Sequence, residues 1–174
     1  MNEYKFQLKQ SIDQLYNVFE KFPLQVNIAG CPCCINDEEK SKLHSKPLDE
    51  LTQEELRPFL FASQTTIGDE NDFKHFLPRI LELVIEEDFI GFPEFIIGHI
   101  KYLKFQNWSL AEQDTIKFFL MSWWNYELAK EYEEYMPFYR VVDCITAINQ
   151  LDDNSINYLE VGLKNKSIHV FWYW

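Results

Sequence analysis

An all-α fold is what this chain of 174 residues predicts, and three observations carry that prediction. Apolar side chains recur at the three-and-four spacing of a helix face over most of its length. Serine, threonine, aspartate or asparagine stands followed by an acid three positions later at several places, the pattern of a helix start. No Gly-rich or Pro-rich linker interrupts the chain, so the helices are joined by short loops. The reading is a single helical domain over 1–174, a bundle or array of about six or seven helices with a short irregular connector that carries cysteines.

The first helix is read over residues 4–21. Phe6, Leu8, Ile12, Leu15, Tyr16 and Phe19 share one face there, and Pro23 ends it. The stretch LQVNIAGCPCC is uncharged and partly β-branched, and reads as the connector. NDEEKSKLH follows as a short helix capped by Asn36 or Asp37, with acids favoured by the helix dipole in its first turn. Thr52 and Glu55 form a capping box for a third helix. Pro58 is expected to break or kink it, with continuation to Gly68.

DENDFKHFLPRILELVIEE reads as a fourth helix, with Pro78 near its front and Phe73, Phe76, Leu77, Ile80, Leu81 and Val84 on a broad face. Pro93 opens a fifth. Ser109 and Glu112 form a second capping box and introduce the longest helix, expected to run to about residue 134. Its FFLMSWW centre is apolar on all sides, which marks a buried position. FYRVVDCITAINQL, after Pro137, is the last clear helix. INYLEVGLK reads as a short helix or strand, and SIHVFWYW as an edge strand or an aromatic tail.

The amino-terminal residues are polar and charged, with no apolar run behind them, so a cytoplasmic chain with reduced thiols is expected. With 28 acidic and 16 basic residues the net charge is −12, which repels nucleic acid and anionic membrane and favours a basic partner. The chain has no G-x-S-x-G, no HExxH and no phosphate loop, and no enzyme class is indicated. His75 follows Asp72 by one helical turn and pairs with it on a common face, and Thr65 and Thr66 lie close in sequence; helix-start salt bridging and helix termination are the plainer roles. His99 and His169 sit among apolar residues and read as satisfied core or interface histidines rather than ligands.

Cysteines 31, 33 and 34 are three of the chain's four. Three readings compete. Reduced thiols packed as small hydrophobes are expected first. Zinc is the alternative, with Cys31, Cys34 and His44 as ligands and His75 arriving from elsewhere; Cys33 can replace Cys34, and Cys144 can replace His75. A glutaredoxin-like CxxC ranks last, because the rest of the chain lacks a strand-and-helix alternation and the neighbouring acids oppose a thiolate. No other cofactor is expected.

The acidic runs include one interleaved with aromatics: Tyr126, Glu127, Glu131, Tyr132, Glu134 and Tyr135. Carboxylates around aromatic anchors suit capture of a basic protein. The segment from CPCC through KPLDELTQEEL to GDENDFKHFLPRILEL, about residues 31–83, resembles an uncharacterised family of bacterial helical proteins with a CPxC stretch, a PLxxL segment and a DFxHFLPRxLEL helix. That resemblance implies a helical fold in a bacterial protein. The small, acidic, helical character is also similar in class to immunity proteins that neutralise basic toxins. The functional expectation is therefore an acidic protein-binding module, possible immunity-type inhibition included, with a zinc or thiol protein centred on CPCC as the alternative.

Overall fold

A computed structural model describes residues 3–61, 67–130 and 138–151. Those residues form seven α-helices: α1 Glu3–Phe19, α2 Asp37–Leu43, α3 Gln53–Phe61, α4 Glu70–Val84, α5 Pro93–Tyr102, α6 Leu110–Ala129 and α7 Phe138–Leu151. Two short 3₁₀ turns, Leu48–Glu50 and Phe105–Asn107, complete them. No strand is present among the described residues, and the one β-type pairing there is an isolated antiparallel bridge between Gly30 and Ile67. The fold class is all-α, as the apolar periodicity predicts.

The helix starts follow their sequence signals. Asn36, and not Asp37, caps α2 through a reciprocal box with Glu39. Thr52 and Glu55 exchange bonds at the head of α3, the Glu55 N–H donating to the Thr52 hydroxyl and the Thr52 N–H to the Glu55 carboxylate. Asp69 and Asp72 do the same for α4, and Ser109 and Glu112 for α6. Each box satisfies amide groups that the helix cannot pair by itself.

The helix interiors depart from expectation in three places. α3 runs through Pro58 to Phe61 without a break in its span, and residues 62–66 of the expected continuation lie outside the described residues. Pro78 is in the middle of α4, not near its front, and is buried there. α6 ends at Ala129 rather than near residue 134, because Lys130 turns to an extended backbone while its N–H closes on the Tyr126 and Glu127 carbonyls. The segments INYLEVGLK and SIHVFWYW, and His169, lie outside the described residues.

The core is one hydrophobic cluster drawn from all seven helices, from Leu8 in α1 to Ile148 in α7. α1 packs most extensively on α6 and then on α4; α5 packs on α7, which also meets α6. Trp123, Phe119, Phe73, Phe76 and Phe19 are among its largest fully buried side chains, and each supplies a large apolar area with few rotors to freeze. The FFLMSWW centre of α6 is not wholly enclosed: Phe119, Leu120, Trp123 and Trp124 are buried, Met121 is half-buried and Phe118 faces solvent.

Two buried ionic knots bind the helices. Glu112 of α6 takes the Lys74 ammonium of α4 at 3.3 Å and that of Lys21 at 2.6 Å, and Lys74 also lies 4.2 Å from the Trp108 ring centre. Glu127 of α6 takes Arg140 of α7 at 3.4 Å, Lys130 at 3.3 Å and the Trp123 indole N–H at 3.1 Å. Arg140 Nη1 and Nη2 also donate to the Glu86 and Ile85 carbonyls at the end of α4, while its Nε is buried without a hydrogen-bond partner. Carboxylates this deep are tolerable only when paired on several sides.

Candidate functional site

The connector between α1 and α2 is held at both ends. Upstream, Ile28 is buried, and the Gly68 N–H donates to the Ala29 carbonyl at 2.7 Å beside the Gly30–Ile67 bridge. Downstream, Ile35 is buried and Asn36 caps α2. Between those anchors the Cys31 carbonyl accepts from the amides of Cys34, at 2.8 Å, and Ile35, at 3.1 Å, so residues 31–35 close into one tight turn. Pro32 suits its place because a fixed φ favours the turn and no donor is asked of it.

That turn presents its thiols outward. Cys31 and Cys33 are exposed and Cys34 is half-buried, while Cys144 is fully enclosed in α7. This corrects the expectation of packed small hydrophobes for Cys31 and Cys33, whereas Cys34 does pack partly against the core; the fully buried positions of the connector go to Ile28 and Ile35, which have more apolar surface to lose. The Sγ atoms of Cys31, Cys33 and Cys34 all lie within 4.8 Å of one another, with 3.5 Å between those of Cys33 and Cys34.

Their acidities differ. The thiols and backbone amides of Cys33 and Cys34 donate to the Cys31 sulfur and push its pKa below the ordinary thiol value. Cys33, which gives its proton toward two neighbouring sulfurs, is pushed up to about 11. Charge therefore gathers on Cys31 ahead of Cys33.

The other sequence candidates lie elsewhere. His44 is exposed just beyond α2, and neither it nor His75 belongs to the cysteine cluster among the described residues. His75 Nδ1 bonds the Phe22 carbonyl at 2.8 Å, and burial pulls the ring's pKa below its usual value. Its orientation comes from that carbonyl, not from Asp72, whose carboxylate accepts the Asp69 amide at the head of α4. Thr65 and Thr66 fall outside the described residues. His99 is buried against Phe73 as expected, and Asp72 Oδ1 and His99 Nδ1 are buried without a hydrogen-bond partner.

Of the aromatic and acidic set proposed for protein capture, Tyr126 is half-buried beneath the Lys130 ammonium, 4.9 Å from its ring centre. Glu127 is corrected from surface to interior by its knot with Arg140. Glu131, Tyr132, Glu134 and Tyr135 lie outside the described residues.

Cys33 as a third member of the thiol set was visible in the adjacency CPCC, although one-turn spacing favours only Cys31 with Cys34. The Glu127–Arg140 and Lys74–Glu112 pairs carried no local signal, since each joins two helices through space. No protein-family model, curated protein or solved structure matches this chain. No helix among the described residues is long and apolar enough to cross a membrane.

Proposed function

We propose that this protein binds a thiophilic metal cation, zinc in the first place, on the Cys31–Cys34 turn. The observation that carries the reading is the convergence of three exposed or half-exposed thiols within 4.8 Å on a turn anchored at both ends. Sulfurs sharing one zinc ion stand about 3.8 Å apart, given Zn–S bonds of about 2.3 Å and tetrahedral angles. The turn therefore needs small side-chain rotations rather than a backbone rearrangement. Three thiolates leave a fourth position for water or for a group brought by another molecule, which suits uptake and transfer more than a closed structural site.

Cobalt(II) substitution tests this. A protein with one bound ion per chain should show intense sulfur-to-cobalt absorption that zinc abolishes, and Cys31→Ser and Cys33→Ser should each weaken the metal by about tenfold or more. A chain that takes up no cobalt at micromolar concentrations, or takes it up equally after both substitutions, sinks the proposal.

A second reading, an acidic module for a basic protein partner of the toxin class, draws on the net charge of −12 and on a different surface from that expected. Phe92 and Phe95 are 52% and 55% exposed with their rings edge to face at 5.4 Å, and Glu94 lies between them in sequence. Exposed aromatics rimmed by carboxylates supply burial and steering for a cationic surface. Native mass spectrometry of the protein drawn gently from its host separates the readings. A metal-sized mass excess lost on acidification supports the first. A bound basic polypeptide that Phe92→Ala and Phe95→Ala release supports the second.

A further inference from the structure

A cleft of about 500 Å³ opens between the carboxyl end of α1 and α4, away from the cysteine turn in sequence. That volume falls in the range of small-molecule sites. Its apolar walls include Phe22 and Leu48, and its polar lining comes from Tyr16, Asn17, Glu20 and His75.

The protons of that lining are already committed. A carbonyl only accepts, so the 2.8 Å bond to Phe22 places the imidazole hydrogen of His75 on Nδ1 and leaves Nε2 with its lone pair. Tyr16 donates its hydroxyl proton to Glu82 at 2.7 Å, where Arg79 holds the same carboxylate oxygen, and so has only lone pairs left to offer. Glu20 adds an exposed carboxylate. The cations over the Phe22 ring are neutralised in place: Lys21 by Glu112, and Lys74 by Glu112 and Glu70. Only the Asn17 amide can turn either way. Among the described residues the walls thus offer acceptors, negative charge and flat apolar surface, with the Asn17 amide as their one uncommitted donor for an anion.

We propose that this cleft binds a small primary amine with an aromatic body, its ammonium group satisfied by Glu20 and His75 Nε2 and its ring laid on the apolar wall. Recognition follows from complementarity: an ammonium has three donors and no acceptor, and charge-assisted bonds to a carboxylate are about twice as strong as neutral ones.

Heteronuclear NMR titration of the intact chain with 2-phenylethylamine and, separately, with 3-phenylpropionate tests it. The amine should shift resonances of residues 16–23 and 75 with saturable, millimolar or tighter affinity, and the carboxylate should not. Glu20→Gln and His75→Gln should each weaken the amine by about tenfold. Asn17→Trp, at an exposed helical position on the rim, should fill the cleft and abolish the shifts. Equal responses to the two probes, no response to either, or unchanged amine affinity in Glu20→Gln would overturn the proposal. So would tighter binding of Nα-acetyl-lysine amide, which would assign the cleft to a partner's lysine side chain.

Discussion

His99 shows what a single buried side chain can do to acid stability. It is 4% exposed, its Nδ1 finds no partner, and burial pushes its pKa down to about 4 from an ordinary 6.5. Because the folded value lies below the unfolded one, the unfolded chain takes the proton first. The contribution is therefore neutral above about pH 6.5, turns increasingly destabilising as pH falls toward 4, and levels off below that, at about 3 kcal/mol in all. Urea unfolding between pH 7 and 4 should show a shallower loss for His99→Phe than for the parent. Arg140 poses the opposite problem. Arg140→Met would strip a cation from the fully buried Glu127 and orphan two helix-end carbonyls, and should cost about 3 kcal/mol in chemical denaturation. Neither effect was legible in the sequence. The apolar neighbours of His99 announced its burial, but the expectation that the ring is satisfied is corrected, since its Nδ1 lacks a hydrogen-bond partner and no local pattern tells that. The Glu127 environment depends on a residue thirteen positions away on another helix, and an acidic run hid it among solvated carboxylates.

At the scale of helices and turns, local chemistry was mostly readable. Capping boxes are short-range, so Thr52 with Glu55 and Ser109 with Glu112 announced helix starts that the structure contains. Helix ends were harder, as α6 shows: nothing near Lys130 is a breaker, and its early stop comes with the ammonium folded back onto Glu127. The tolerance of Pro58 and Pro78 likewise belongs to burial, since both fill core space that compensates for a lost backbone bond. Gly68 joins the cysteine connector to α4. Its φ of +68° is a conformation that disfavours any Cβ, and one built there would lie 2.9 Å from the Asp72 Cβ. Gly68→Ala should destabilise the fold by about 2 kcal/mol in thermal or urea unfolding. It should also weaken metal at the turn, because the Gly68 N–H fixes Ala29 just before Cys31.

For the molecule as a whole, the all-α class and one core were legible because amphipathic periodicity survives along most of the chain. The cysteine turn was only half legible: the spacing brought Cys31 and Cys34 together, but their exposure depends on Ile28 and Ile35 winning the interior. A bound ion should stabilise the entire fold by mass action, by about 2.7 kcal/mol at a free concentration one hundred times its dissociation constant. Calorimetry with and without zinc should show that gain at pH 7.5, a smaller one at pH 6 where protons compete for the sulfurs, and one reduced by about 1.4 kcal/mol for each tenfold loss of affinity in Cys31→Ser.

Cys144 makes a last point. It is wholly enclosed, and burial with the nearby Glu127 carboxylate raises its thiol well above the ordinary value. The chain thus carries its own clock for opening. In a pulse of alkylating reagent on the metal-free chain, the exposed Cys31 thiol, whose pKa is lowered, marks time zero, and Cys144 is labelled only as α7 lifts from its neighbours. The ratio of chains labelled at Cys31 alone to chains labelled at both Cys31 and Cys144, counted by peptide mass spectrometry, then reads how readily α7 opens.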